Sequence, residues 1–279
     1  MTTFHKLAAC ALSALILGGA PAQTALAADV KAQASKPYTP YSGQAGKDVV
    51  WVPTQQALVD RMLDMAGVTA DDHVIDLGSG DGRTVITAAK RGARAHGIEY
   101  NPDMVTLSRQ NAEAEGVKDK ATFERADIFQ SDFSKASVVT LFLLTDLNIK
   151  LRPTLLKMKP GTRVVSNTFD MGDWQPDERI QSGADCTSFC RAYKWVVPAQ
   201  VGGDWRLGEG SLKLTQTYQV LTGTLTRDGK SMPISDAKMD GTKITFTADG
   251  QRYAGEVDGA RMTGSLEGGQ NWSATRAAS

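Results

Sequence analysis

Apolar residues fall at helical intervals in some stretches of the chain and run together or alternate in others, and the switches between these patterns divide it. Residues 28–48, rich in Ala, Lys, Pro, Gly and Ser, show no period and read as a linker or an arm lying on the surface. Val49–Val52 is apolar, and Pro53-Thr54 then opens a helical pattern in which Leu58, Met62, Leu63 and Met65-Ala66 recur. Gly67 stops this helix, and Thr54 is its expected N-cap. Strands and helices alternate from there. Strands are predicted over 73–77, 94–99 and 121–126, with a helix over 82–91 and another capped by Asn101 and running to about Glu115. Val138–Leu144 is a nearly continuous apolar run, as expected of a central strand buried on both faces. A helix over Leu147–Met158, ended by Pro160-Gly161, leads to a fifth strand over Thr162–Thr168. Such alternation implies a doubly wound α/β fold with a parallel sheet and right-handed crossovers.

The style changes after Phe169-Asp170. From about Tyr193 the chain shows short alternating strands, and no helical pattern follows Gly202. Asp228-Gly229, Asp240-Gly241, Asp249-Gly250 and Asp258-Gly259 are four hairpin signals. They predict a small C-terminal antiparallel β-domain, a curved sheet or partial barrel with Trp205 and Trp272 plugging its ends. The other end of the chain reads as a targeting segment. Lys6 precedes an apolar run over Leu7–Ala20, and Ala25-Leu26-Ala27 is a small-residue cleavage site. Cleavage after Ala27 implies an exported, periplasmic protein with no transmembrane span left; retention as an uncleaved anchor is the alternative. The expected divisions are a leader over 1–27, the linker or arm over 28–48, the α/β domain over 49–200 and the β-domain over 201–279. Of three cysteines Cys10 leaves with the leader, and the remaining Cys186 and Cys190 suggest a disulfide that clips a loop. A redox role fits the C-x-x-x-C spacing less well. Only His73 and His96 then remain as imidazoles, both in strand patterns, so no metal site is expected.

Lysine plus arginine equals aspartate plus glutamate, 31 each, which gives no support for a nucleic-acid partner. The chemistry concentrates at the end of the first strand, Val-Ile-Asp-Leu-Gly-Ser-Gly-Asp-Gly-Arg over 74–83. Gly78, Gly80 and Gly82 make G-x-G-x-G, whereas a dinucleotide fingerprint wants G-x-G-x-x-G, whose last glycine is replaced here by Arg83. Asp76 lies just before the turn. An acid so close to the glycines suits a cationic, phosphate-free ligand such as S-adenosyl-L-methionine better than a pyrophosphate. In a doubly wound sheet the ligand lies at the carboxyl ends of the strands, which gathers Asp76, the three glycines, Glu99, Asp127 and Leu144-Thr145-Asp146 around one crevice. The glycines admit the methionine part, Glu99 accepts both ribose hydroxyls, and Asp127 accepts the adenine amino group. Ile128 and Phe129 pack on the adenine ring, and Thr54 closes over the methionine side.

These pieces resemble a class I methyltransferase. More narrowly, the chain is similar to the small lysine methyltransferases that act on the ATP synthase c-subunit and the adenine nucleotide translocase. The resemblance rests on Val52-Pro53-Thr54, Asp76 to Arg83, Gly97-Ile-Glu-Tyr-Asn-Pro102, Ala126-Asp127, the Val138–Leu144 strand, and Pro160 to Ser166 followed by Trp174. It covers about residues 50 to 176 and implies a Rossmann-like methyltransferase sheet and methyl transfer to a protein amine, a lysine. An amine acceptor must lose its proton, and carboxylates can hold it. Asp146 after the fourth strand, with Asp170 and Trp174 after the fifth, are the catalytic candidates. Loop capping by Asp170 and Asp173, and packing of Trp174 at the domain junction, are the competing roles. The absence of Asn-Pro-Pro-Tyr near the fourth strand argues against nucleic-acid amino groups as acceptors. A small-molecule acceptor, and an exported binding module without catalysis, are the alternative readings.

Overall fold

The computed structural model describes residues 38–183 and 186–277; the leader over 1–27 and the first part of the arm, to residue 37, lie outside the described residues. Two sheets organise the described residues. The first is built from β1 (His73–Leu77), β2 (Arg94–Glu99), β3 (Ala121–Arg125), β4 (Val138–Leu141), β5 (Arg163–Asn167), β6 (Glu178–Gln181) and β7 (Arg191–Val196), in the order β3-β2-β1-β4-β5-β7-β6. The pairs from β3 through β5 are parallel, and β7 runs antiparallel to both β5 and β6. The order reverses beside β1, which opens a crevice at the carboxyl ends of the strands. All four residues of β4 are buried, as the continuous apolar run requires.

Among the described residues four helices pack on this sheet: α1 (Gln56–Met65), α2 (Arg83–Lys90), α3 (Pro102–Ala114) and α4 (Thr145–Leu155). Asn101 caps α3 as expected, its side chain accepting from the N–H groups of Asp103 and Met104. Thr54 does not cap α1. Gln55 holds the N-cap place without a side-chain bond, because Thr54 is tied elsewhere: its hydroxyl accepts from Asn167 Nδ2 and its carbonyl from Arg83 Nη1. The fourth strand is also shorter than expected. It stops at Leu141, Leu144 becomes the N-cap of α4, and that helix starts two residues early and ends at Leu155 despite carrying Pro153.

The second sheet comprises β8 (Gly203–Leu207), β9 (Gly210–Thr217), β10 (Val220–Arg227), β11 (Lys230–Pro233), β12 (Ser235–Asp240), β13 (Lys243–Ala248), β14 (Gln251–Asp258), β15 (Arg261–Leu266) and β16 (Asn271–Arg276). It closes. β8 pairs with β16 at one seam, β9 pairs with β10, and β11 and β12 act as one stave broken at Ile234. The result is an eight-staved antiparallel barrel rather than a partial one. At this size side chains fill the interior: Phe246 stacks on Tyr253 at 4.5 Å, Trp272 meets both edge-on, and Trp205 is buried with them. Asp228-Gly229 and Asp249-Gly250 form the tight hairpins their sequence announces, with φ of 52° and 73°, and 50° and 70°.

The barrel meets the α/β sheet through aromatic packing. Trp174 stacks on Tyr218 at 5.9 Å, donates from Nε1 to Gln219 Oε1 and accepts at its carbonyl from Trp195 Nε1. Tyr218 in turn donates to Asp173, which also pairs with Arg152.

Candidate active site

The turn after β1 is shaped by its glycines. Gly78, Gly80 and Gly82 have φ of 82°, 53° and 83°, a region that disfavours any residue with a Cβ. At Gly80 a Cβ would also collide with the indole Nε1 of Trp51. Ser108, buried on α3, donates to the Gly80 carbonyl, Asn111 donates to the Asp81 carbonyl, and Arg83 pairs with Asp81 at 2.6 Å while gripping Thr54. The turn is thus held from α3 below and from the segment before α1 above.

A cleft opens beside this turn, at the switch point of the strand order. Its inner wall carries Gly78, Glu99, Asp127, Ile128 and Leu143, and its outer wall is formed by residues 44–49 and Trp51. Glu99 is fixed at both oxygens: Oε2 accepts from the Gly80 N–H and Oε1 from the Asn101 N–H, each at 2.9 Å. Asp127 accepts from the Phe129 N–H at 2.9 Å and from Lys47 Nζ at 2.7 Å. The Lys47 bond, followed by the Phe129 N–H, holds its carboxyl below the usual range. Asp76 is buried on β1 with Thr140 donating to it at 2.6 Å. Burial pushes its carboxyl up to about 7, and the charges of Glu99 and Asp81 add to the rise.

Glu99, Asp127, Ile128 and Gly78 therefore meet at one cleft. Gly80, Gly82, Asp76 and Thr54 stand behind it, shaping the turn and its supports. Leu144 does not reach it. Leu144 is 47 % exposed, and Leu143, one residue earlier, takes the inward place, 3.4 Å from where a Gly78 Cβ would lie. Phe129 also turns away and lies under Lys150 Nζ, 3.8 Å from its ring centre. Residues 45–48 lie exposed on the surface, as expected of an arm, and with the buried Gln44 they also form one wall of the cleft, of which an aperiodic polar stretch gives no sign. Tyr100, Asn101, Met104, Ala126 and Leu147 complete the lining and were legible only as residues of strand ends and helix starts.

The acceptor side lies where β4 and β5 end. Phe142 and Phe169 face each other at 6.2 Å, and Phe189 joins them at 5.3 and 6.3 Å. Phe189 sits on the loop closed by the Cys186–Cys190 disulfide, and Gln55 steadies that loop by bonding the N–H and hydroxyl of Thr187. Asp146, in the first turn of α4, and Asp170, which follows Phe169, are exposed; Asp170 accepts from Thr145 and from the Gly172 N–H. Trp174 is not part of this surface. It is 0 % exposed at the domain junction and has no face to offer an acceptor. Asn148, which sequence reasoning missed, ties α4 to the segment after β5 by donating to the carbonyls of Phe169 and Asp170.

The cleft fits a sulfonium nucleoside on its own features. It pairs a close-approach glycine turn with two fixed carboxylates. No phosphate-gripping cation lies on the turn itself, since Arg83 is spent on Asp81 and Thr54. Sheet order, glycine turn and cleft define an S-adenosyl-L-methionine-dependent methyltransferase. The comparisons carry this to the family. A family model described as the ANTKMT methyltransferase domain matches residues 76–178. A protein-lysine N-methyltransferase of Saccharolobus islandicus is 46 % identical over 136 residues, 48 % of this chain and 84 % of that one. The lysine N-methyltransferase of the ATP synthase c-subunit from Rattus norvegicus is 34 % identical over 150 residues, 53 % of this chain and 69 % of that one. The crystal structure of an RNA methyltransferase from Salinibacter ruber in complex with S-adenosyl-L-homocysteine matches with a TM-score of 0.51 and 47 % identity, over 54 % of this chain and 96 % of that one. The chain belongs to this methyltransferase family. The match to the family model ends before β7 and the barrel.

Proposed function

We propose that this enzyme methylates a protein amine, the side chain of a lysine, and that it works outside the cytoplasm. The observation that carries the acceptor is the surface at the ends of β4 and β5. Three phenylalanine rings, with the exposed carboxylates of Asp146 and Asp170 on the segments that follow the same two strands, suit a long apolar stem with a cationic tip. Two relatives named above for lysine methylation support the same reading. In the cleft, Glu99 takes the ribose hydroxyls, Asp127 the adenine amino group and Ile128 the adenine face, with the glycine turn along the methionine part. The cofactor supplies an electrophilic methyl group on a sulfonium. The chain's own task is positioning and exclusion of water. Asp170 and Asp146 hold the arriving ammonium and pass its proton to solvent; the free amine forms the N–CH3 bond as the S–CH3 bond breaks. Export is supported by the leader pattern and by the disulfide, which persists in oxidising compartments.

The test is transfer of methyl-labelled S-adenosyl-L-methionine into envelope extracts by the purified chain. Label on lysine in a protein band is the expected result. Label in RNA, the substrate class for which the Salinibacter protein is named, or only in a soluble small molecule, would overturn the acceptor assignment. Cofactor binding without any transfer would favour the non-catalytic module.

A further inference from the structure

The stretch 38–51 contains no helix or strand, yet it is a built element. Gln44 is its centre, 8 % exposed: its Nε2 donates to the Tyr38 hydroxyl at 2.7 Å and its Oε1 accepts from the Tyr41 N–H at 3.1 Å. The Gly43 N–H donates to the Trp51 carbonyl at 2.8 Å and the Trp51 N–H to the Gln44 carbonyl at 2.9 Å, which closes the stretch into a loop. The loop lands on the cleft at two points. Trp51 covers Gly80, and Lys47 reaches the far rim, where Nζ meets Asp127 Oδ2 at 2.7 Å above the ring of Tyr100. Lys47 is the only lysine or arginine between residues 38 and 51. The cavity lies between this loop and the strand ends, so a nucleoside resting on Glu99 and Ile128 has the loop on its outward side.

We propose that residues 38–51 are a strap across the cofactor site and that Lys47, a positioning residue, latches it to Asp127. Cofactor enters and leaves only while this pair is open. Lys47 holds Oδ2 of Asp127 and leaves Oδ1 for the adenine amino group, so the latch acts on the unliganded and the liganded protein alike and slows entry and exit by the same factor. This is a kinetic signature that a simple binding contact does not share. An exposed pair of this geometry supports a factor of up to about five in the open fraction, and salt screens it.

Stopped-flow mixing of the full chain with S-adenosyl-L-homocysteine, followed by tryptophan fluorescence, tests the proposal. For Lys47→Ala, association and dissociation rates are both expected to rise roughly three- to fivefold, with the ratio between them kept. Lys47→Arg is expected to stay near wild type. Raising salt from about 0.05 M to about 0.5 M is expected to speed both wild-type rates and to leave those of Lys47→Ala flat. Rates unchanged in Lys47→Ala would overturn the latch. So would faster dissociation at an unchanged association rate, because Lys47 would then be only a contact.

Discussion

At the scale of single residues, the site works by fixing carboxylates before the ligand arrives. Glu99 is held by two backbone N–H groups and needs no reorganisation to receive a diol. Removing it with Glu99→Ala is expected to weaken S-adenosyl-L-homocysteine by about 1.5–3 kcal/mol, roughly ten- to hundredfold, read by calorimetry. An unchanged affinity would remove Glu99 from the site. Asp76 gives a different signal. Its folded pKa is raised from 3.8 to about 7 by burial. Between those values the folded chain holds a proton that the unfolded chain has released, so stability is full below about pH 4 and is lost as pH rises through about 7. Asp76→Asn is expected to remove this loss, so the unliganded variant should melt above wild type at about pH 8 and with it near pH 4. Parallel melting curves across that range would contradict the buried, proton-holding carboxyl.

At the scale of elements, most of the α/β half was legible because its signals are local. The β4 run, the Asn101 cap and the spacing of the three glycines each dictate a conformation without help from distant residues. What could not be read depends on tertiary partners. The inward residue after β4 is Leu143 rather than Leu144 because the strand stops at Leu141 and the turn into α4 shifts the parity by one. Thr54 gives up its cap because Asn167 and Arg83, distant in sequence, claim its oxygens. The strap is folded by a buried glutamine and five hydrogen bonds, with no hydrophobic period to announce it. The disulfide loop belongs to the same class: two cysteines suggest a clip, but nothing local shows that it carries Phe189 to Phe142 and Phe169. Phe189→Ala is expected to lower methyl transfer roughly three- to thirtyfold at subsaturating acceptor, with S-adenosyl-L-homocysteine affinity unchanged. Equal loss of both would mean that the ring supports the fold rather than the acceptor.

At the scale of the whole molecule, an α/β enzyme half is joined to a closed, side-chain-filled barrel by one aromatic seam. Four of the hairpins were readable from Asp-Gly pairs, whereas closure was not, since pairing of β8 with β16 joins segments some seventy residues apart. Trp174 is the centre of the seam, buried between Tyr218 and Trp195. Trp174→Ala is expected to cost about 3–5 kcal/mol of stability and to split the melting of the two halves, seen by calorimetric scanning. A single, unshifted transition would show that the halves do not depend on this seam. Fractionation of cells, with mass measurement of the mature chain, is expected to find it outside the cytoplasm and beginning at Ala28.

The strand-end carboxylates and the glycine turn together form a site for a sulfonium nucleoside. Isothermal calorimetry of the purified chain with S-adenosyl-L-methionine is the decisive measurement. Saturable heat at one site per chain is expected, competed by S-adenosyl-L-homocysteine and lost in Glu99→Ala. Folded protein that gives no heat with either nucleoside would rule this site out.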